Sequence, residues 1–297
     1  MQQGTFRGAY PALITPMDKN GDVNYDAIQK IIEFNINAGV DGFWIAGGTG
    51  ESVYLTEEEN NEIAKASVEQ CNGRAKIIMH VGSTTTTVAT RQAEYAAKFG
   101  VDAVCSFPPI VYRPGDHEIT EHYKAIASAS NLPFFVYNFP GATGVEITPE
   151  LMGKMLDEIP LIQGLKHTAP VFDNMYLFSQ MGLDVFVGGG RAMLPNLTIG
   201  GAGCVDGPLC FVPEYWVKLF KAYNNEDLKK AEHYQRKAAH IMDVLIDIGY
   251  SPALKFLVGE RLGIDCGNPR LPIAQFSEEM KEIARKKLIE LQLDPIT

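Results

Sequence analysis

The chain has 297 residues, 46% of them apolar, and 26 basic against 36 acidic side chains give a net charge of −10. No apolar run approaches the roughly 18 residues needed to span a bilayer, and no basic stripe marks a nucleic-acid surface, so neither a membrane nor a nucleic acid is an expected partner. The first seven residues lack a basic segment followed by an apolar one, so no signal peptide is expected and the expected location is cytoplasmic.

In chain order, strand-like runs at 9–15, 42–46, 76–81, 101–107, 133–138, 161–166, 185–188 and 203–206 alternate with helical patterns. The helices fall at 25–38, 56–70, 87–99, 117–129, 148–157, 171–181, 191–199 and 213–223. Thr56-Glu57-Glu58-Glu59 is a capping box. Thr148-Pro149 puts proline at a first helical position, where its missing N–H costs nothing. Eight strand-then-helix units predict a parallel sheet closed into a (β/α)8 TIM barrel, an α/β fold. A doubly wound open sheet is the alternative, disfavoured by the count of eight and by the lack of a Gly-x-Gly-x-x-Gly turn after the first strand. After residue 224 the rhythm changes: 225–248, 252–262 and 277–291 read as helices, with a turn-rich connector at 267–272. The expected organisation is a barrel over 1–224 and a helical extension over 225–297 packed on it.

The cysteines are Cys71, Cys105, Cys204, Cys210 and Cys266. An odd number without close pairing argues for a reducing compartment, and Cys105 and Cys204 fall in apolar runs expected in the core. No Cys-x-x-Cys or His-Glu-x-x-His pattern occurs. His117, His122, His233 and His240 read as solvated or capping side chains rather than metal ligands.

In such a barrel the site forms at the C-terminal ends of the strands. Lys166 ends the sixth run, with an apolar wall beneath it. Burial there disfavours an ammonium, and a neutral amine attacks carbonyls, as Schiff-base chemistry requires. A solvated lysine just past a strand is the other reading. Period-two alternation puts Thr168 on the same side as Lys166 and His167 on the opposite side. Tyr137 ends the neighbouring fifth run, on one face with Phe135. It is placed either to carry a proton or to serve as an aromatic wall. After the second run, Gly47-Gly48-Thr49-Gly50-Glu51 offers backbone N–H groups and the Thr49 hydroxyl to a carboxylate, or forms only a tight turn.

These three motifs in order, Gly47-Gly48-Thr49-Gly50-Glu51, Tyr137-Asn138-Phe139-Pro140 and Gly164-Leu165-Lys166, resemble the N-acetylneuraminate lyase and dihydrodipicolinate synthase superfamily over essentially the whole chain. The resemblance implies a class I, Schiff-base lyase acting on a small-molecule 2-oxo acid, usually pyruvate, in a homotetramer without metal or organic cofactor. It implies that Lys166 forms the imine, Tyr137 donates and accepts the proton, and Gly48 and Thr49 hold the carboxylate. The synthase branch carries an arginine two residues beyond the proline of the tyrosine motif; Ala142 stands there. Gly141-Ala142-Thr143-Gly144-Val145 and Lys166-His167-Thr168 are closer to the lyase branch, which implies cleavage of a sugar acid.

Departures from the lyase pattern cluster at the distal pocket. Gly48 replaces a relay hydroxyl, and Val111 an aromatic residue, although Tyr112 follows. Gly188-Gly189-Gly190-Arg191 stands in place of an acidic pair, and a serine is replaced near Gly207. Gly188, Gly190, Gly207 and Thr168 are therefore candidate substrate-binding positions. Arg191 is a candidate to pair with a second acidic group on the substrate, or else points to solvent. Gly-Gly-Thr-Gly-Glu also resembles dehydratases of deoxy-oxo-sugar acids, which use the same imine. A catalytically weak binding or regulatory barrel is the third reading.

Overall fold

Eight short apolar runs become eight parallel strands in the computed structural model, which describes residues 5–291 and 293. They are β1 (Gly8–Pro11), β2 (Gly42–Ile45), β3 (Lys76–His80), β4 (Ala103–Ser106), β5 (Phe134–Asn138), β6 (Ile162–His167), β7 (Asp184–Val187) and β8 (Gly203–Asp206). Each of β2 to β7 pairs with the strand after it, and β1 pairs with β8. The ring closes between β1 and β2 through a parallel bridge at Ala12 and Trp44, with the Leu13 N–H donating to the Trp44 carbonyl. The first five strands are shorter than the apolar runs that mark them. Residues 12–15, for example, stay buried after the ladder ends, so apolar patterning marks burial beyond the paired segment.

The helices are α1 (Tyr25–Ala38), α2 (Glu57–Cys71), α3 (Thr86–Phe99), α4 (Asp116–Ser130), α5 (Pro140–Thr143), α6 (Pro149–Glu158), α7 (Asp173–Gln180), α8 (Met193–Thr198), α9 (Pro213–Asn224), α10 (Leu228–Asp247), α11 (Tyr250–Leu262) and α12 (Glu278–Glu290). Local chemistry sets several ends. Thr56 accepts from the Glu59 N–H while the Glu59 carboxylate accepts from the Thr56 N–H, so two orphan donors of α2 are satisfied. Thr148 caps α6 by accepting from Leu151 N, with Pro149 in the first turn. The helix expected over 191–199 splits into a 3-10 turn at Gly190–Ala192 and α8. The single turn α5 is too short for periodicity to announce it.

Alternation along the strands builds two cores. Inside the barrel lie Phe6, Tyr10, Trp44, Ile78, Cys105, Phe135 and Phe186; outside, Phe43, Ile77, Phe134, Leu165 and Val185 face the helices. Phe6 meets Phe135 edge-on at 5.1 Å and so plugs the barrel interior. All five cysteines are buried and unpaired, Cys105 inside the ring and Cys204 outside it. α10 packs on α9 and on the 3-10 turn at Gly190–Ala192, and α11 packs on α12. The first four residues, and the last few assigned to the helical extension (292 and 294–297), lie outside the described residues. Among the described residues no helix is long and apolar enough to cross a membrane.

Candidate active site

β5 and β6 are neighbours, and their register sets Tyr137 opposite Lys166. Each side chain is only 5% exposed. Lys166 Nζ lies 4.5 Å from the centre of the Tyr137 ring and 5.5 Å from that of Trp44. Trp44 meets Tyr137 edge-on at 5.8 Å, and Phe139 stacks on it at 5.9 Å. Among the described residues Lys166 has no ion pair and no hydrogen bond through Nζ. Its amine lies over two ring faces, and neither ties it to a hydrogen-bond partner.

A polar brace outside the ring fixes this pairing. Asn138 Nδ2 donates to the Ile147 carbonyl at 2.9 Å, and its Oδ1 accepts from Ile147 N at 3.0 Å. The same Nδ2 lies 3.2 Å from His167 Nδ1, while His167 Nε2 lies 3.1 Å from the Val171 carbonyl. A neutral ring protonated on Nε2 satisfies both contacts, and burial holds the His167 pKa below its usual value. His167 also packs on Phe178 of α7, so it faces outward while Lys166 and Thr168 both lie against Gly188.

The loop after β2 approaches from the other side. A methyl group on Gly48 would lie 3.4 Å from Tyr137 Oη with nothing else within 4 Å, so this glycine leaves room beside the phenol. On Gly50 a methyl would press to 3.0 Å of Ala46 Cα and 3.1 Å of the Leu13 carbonyl, which explains glycine there. Thr15 donates to the Gly50 carbonyl at 2.7 Å. Glu51 takes a left-handed backbone at φ +64°. Its carboxylate accepts from Lys255 Nζ at 2.5 Å and from Arg270 N at 2.8 Å. The Arg270 guanidinium is bonded in turn to Glu59 and to the Tyr54 carbonyl. The glycine loop is thus anchored from behind by the C-terminal part of the chain.

The glycines beyond β7 and β8 do not line bare space. A methyl on Gly188 would lie 1.9 Å from Thr168 Oγ1 and 3.0 Å from Lys166 Cε. On Gly190 it would lie 2.5 Å from the Trp216 ring and 3.0 Å from Asp206 Oδ2, and on Gly207 2.7 Å from Tyr250 Oη. Neighbouring side chains occupy each place. The Thr168 hydroxyl is buried without a hydrogen-bond partner among the described residues. Arg191 is half exposed, and its Nε donates to Asp243 of α10 at 3.0 Å. Tyr112 is 92% exposed and Ala142 is exposed on α5. Near that turn, Arg113 Nε is 3.4 Å from where a methyl on Gly144 would stand.

Sequence reasoning did not single out four further groups at this mouth. Trp44 and His80 are inward positions that strand alternation could have supplied. His80 is fully buried, and burial brings its pKa to about 3. Asp206 and Tyr250 meet only through tertiary folding. His122, expected to be solvated or capping, is instead buried, with Nδ1 2.8 Å from Thr86 Oγ1 and its pKa lowered by burial to about 4. Among the described residues no group of three or more His, Cys, Asp or Glu is arranged to hold a metal ion.

The dihydrodipicolinate synthetase family model matches residues 5–291. The 4-hydroxy-tetrahydrodipicolinate synthase of Methanocaldococcus jannaschii is 31% identical over 289 residues, covering 97% of this chain and 99% of that one. The dihydrodipicolinate synthase of Aquifex aeolicus superposes with a TM-score of 0.91 at 28% identity, covering 98% of this chain and 99% of that one. The N-acetylneuraminate lyase of Proteus mirabilis shares the fold, with a TM-score of 0.90 at 23% identity over 97% of this chain and 99% of that one. The barrel expected from eight strand–helix units and the superfamily expected from three motifs are both borne out. The chain belongs to the dihydrodipicolinate synthetase family and is an enzyme of the class I, carbon–carbon lyase type.

Proposed function

We propose that this enzyme cleaves a 2-oxo sugar acid to pyruvate and an aldehyde through an imine on Lys166. The observation that carries the reading is the buried, unpartnered Lys166 amine 4.5 Å from the Tyr137 ring. The amine adds to the 2-oxo carbon and water leaves, giving an imine. Protonated, the imine withdraws electrons from the C3–C4 bond, which breaks as Tyr137 takes the proton of the C4 hydroxyl. The enamine then regains that proton at C3, and water releases pyruvate and restores the amine. The backbone N–H groups near Gly48, with the Thr49 hydroxyl, hold the carboxylate. Thr168 adds an unused hydroxyl beside Lys166. A homotetramer in the cytoplasm is part of the proposal, as is the division into a barrel over 1–224 and a helical extension.

A second reading is the synthase reaction, in which pyruvate on Lys166 joins an aldehyde bearing a second carboxylate. The curated relatives favour it, and Arg113, beside Gly144, brings a guanidinium close to the turn where Ala142 provides none. Elimination of water from a deoxy-oxo-sugar acid would use the same imine. The test is borohydride reduction in the presence of pyruvate, read by mass spectrometry of peptides. The expected result is one pyruvate-derived adduct on Lys166; an adduct elsewhere, or none, overturns the imine. Pyruvate release from sugar acids then separates cleavage from dehydration, and consumption of a carboxylated aldehyde identifies a synthase.

A further inference from the structure

Gly207 has no side chain, and its place is filled from far along the chain. A methyl there would lie 2.7 Å from Tyr250 Oη, 3.0 Å from Leu254 Cδ2 and 3.2 Å from Thr49 Cγ2. Tyr250 opens α11, so a phenol from the C-terminal helices reaches the end of β8 beside the glycine loop. The backbone there is unusual: Gly249 has φ +92° and Tyr250 φ +32°. A non-glycine residue in that region is strained, and such strain clusters at functional sites.

The phenol is held by a buried carboxylate. Asp206, 6% exposed at the last position of β8, accepts from Gly190 N at 2.5 Å, Gly207 N at 2.9 Å and the Tyr250 hydroxyl at 3.3 Å. One side chain thus fastens the loops after β7 and β8 to α11. Burial raises the Asp206 pKa, and the strongest opposing influence is the Lys166 charge. With its proton directed to Asp206, the Tyr250 oxygen keeps lone pairs for an incoming donor. A substrate hydroxyl supplies a donor. A second carboxylate would instead face the charge of Asp206, which disfavours it.

We propose that Tyr250 is a specificity-determining residue that accepts a hydrogen bond from a hydroxyl beyond C4 of the 2-oxo acid, with Asp206 as its positioning residue. The substrate class is a 2-oxo acid whose aldehyde-forming half is hydroxylated rather than carboxylated. This deepens, and rests on, the imine reading.

The test runs the reaction toward condensation, with pyruvate and either glyceraldehyde or propanal, which differ in their hydroxyls. The readout is the ratio of the two kcat/KM values, which cancels any loss of folded protein. The wild-type enzyme is expected to prefer glyceraldehyde, and Tyr250→Phe to lower that preference by about fivefold, the worth of one hydrogen bond. Asp206→Asn is expected to lower it in the same direction, and Tyr250→Phe carries the test if that variant does not fold. An unchanged ratio in Tyr250→Phe overturns the inference. So does a wild-type enzyme that is trapped by pyruvate on Lys166 yet condenses neither aldehyde. Absence of trapping on Lys166 instead removes the imine reading, and this inference with it.

Discussion

Two lysines are buried among the described residues, and their surroundings suit them to opposite roles. Lys255, 1% exposed, is bonded to Glu51 at 2.5 Å and to the Asn268 carbonyl at 3.2 Å. Burial lowers its pKa, and the Glu51 charge opposes that shift. Lys166 is nearly as deep, yet among the described residues its amine has no hydrogen bond and no ion pair, and it lies over two aromatic rings. Depth alone therefore does not make a nucleophile. The lysine whose bonding capacity is already used holds the structure together, and the one left unsatisfied is available to a ketone.

The comparison is most severely tested by exchanging the two losses. Lys166→Ala is expected to reduce turnover on the order of 10⁴-fold or more, to abolish borohydride trapping, and to leave the thermal midpoint close to wild type. A large fall in the midpoint would show that Lys166 is structural too. Lys255→Met is expected to do the reverse. It leaves Glu51 buried with one N–H donor, at a cost of about 3–5 kcal/mol in chemical denaturation, while the folded fraction is still trapped by pyruvate on Lys166. Adding Glu51→Gln should recover part of that loss; no recovery would break the pairing argument.

Smaller changes sharpen the contrast. Gly48→Ser places a hydroxyl beside Tyr137 without a close contact. Steady-state kinetics should show kcat rising about tenfold, since a positioned proton carrier contributes at least that much elsewhere. An unchanged kcat means that Tyr137 moves its proton unaided. Arg191→Ala breaks an exposed pair with Asp243. Its expected cost in stability is at most about 1 kcal/mol. Turnover of a substrate with a second acidic group falls only if Arg191 leaves Asp243 for that group, and unaltered kcat/KM takes Arg191 out of the binding set.

What could be read from the sequence was local. Lys166 and Tyr137 each end an apolar run, and a period of two assigns their faces without knowledge of the fold. Capping residues marked the starts of α2 and α6 for the same reason. The contacts that complete the mouth join residues far apart: 44 positions for Tyr250 and Asp206, 204 for Lys255 and Glu51. No spacing rule reaches that far. The glycines at 188, 190 and 207 are read in sequence as departures from a family pattern, and only the fold shows that their missing side chains admit Thr168, Trp216 and Tyr250. His122 shows the same limit, since only the packing of α4 decides whether a helical histidine meets water.

The fastening of Glu51 by Lys255 and Arg270 has a consequence for how the enzyme comes into being. All eight strands can leave the ribosome while that carboxylate still lacks both of its ligands, so the glycine loop is finished only by residues made well after the last strand. A shortened gene ending near residue 224 would encode every strand and still not yield a working catalyst.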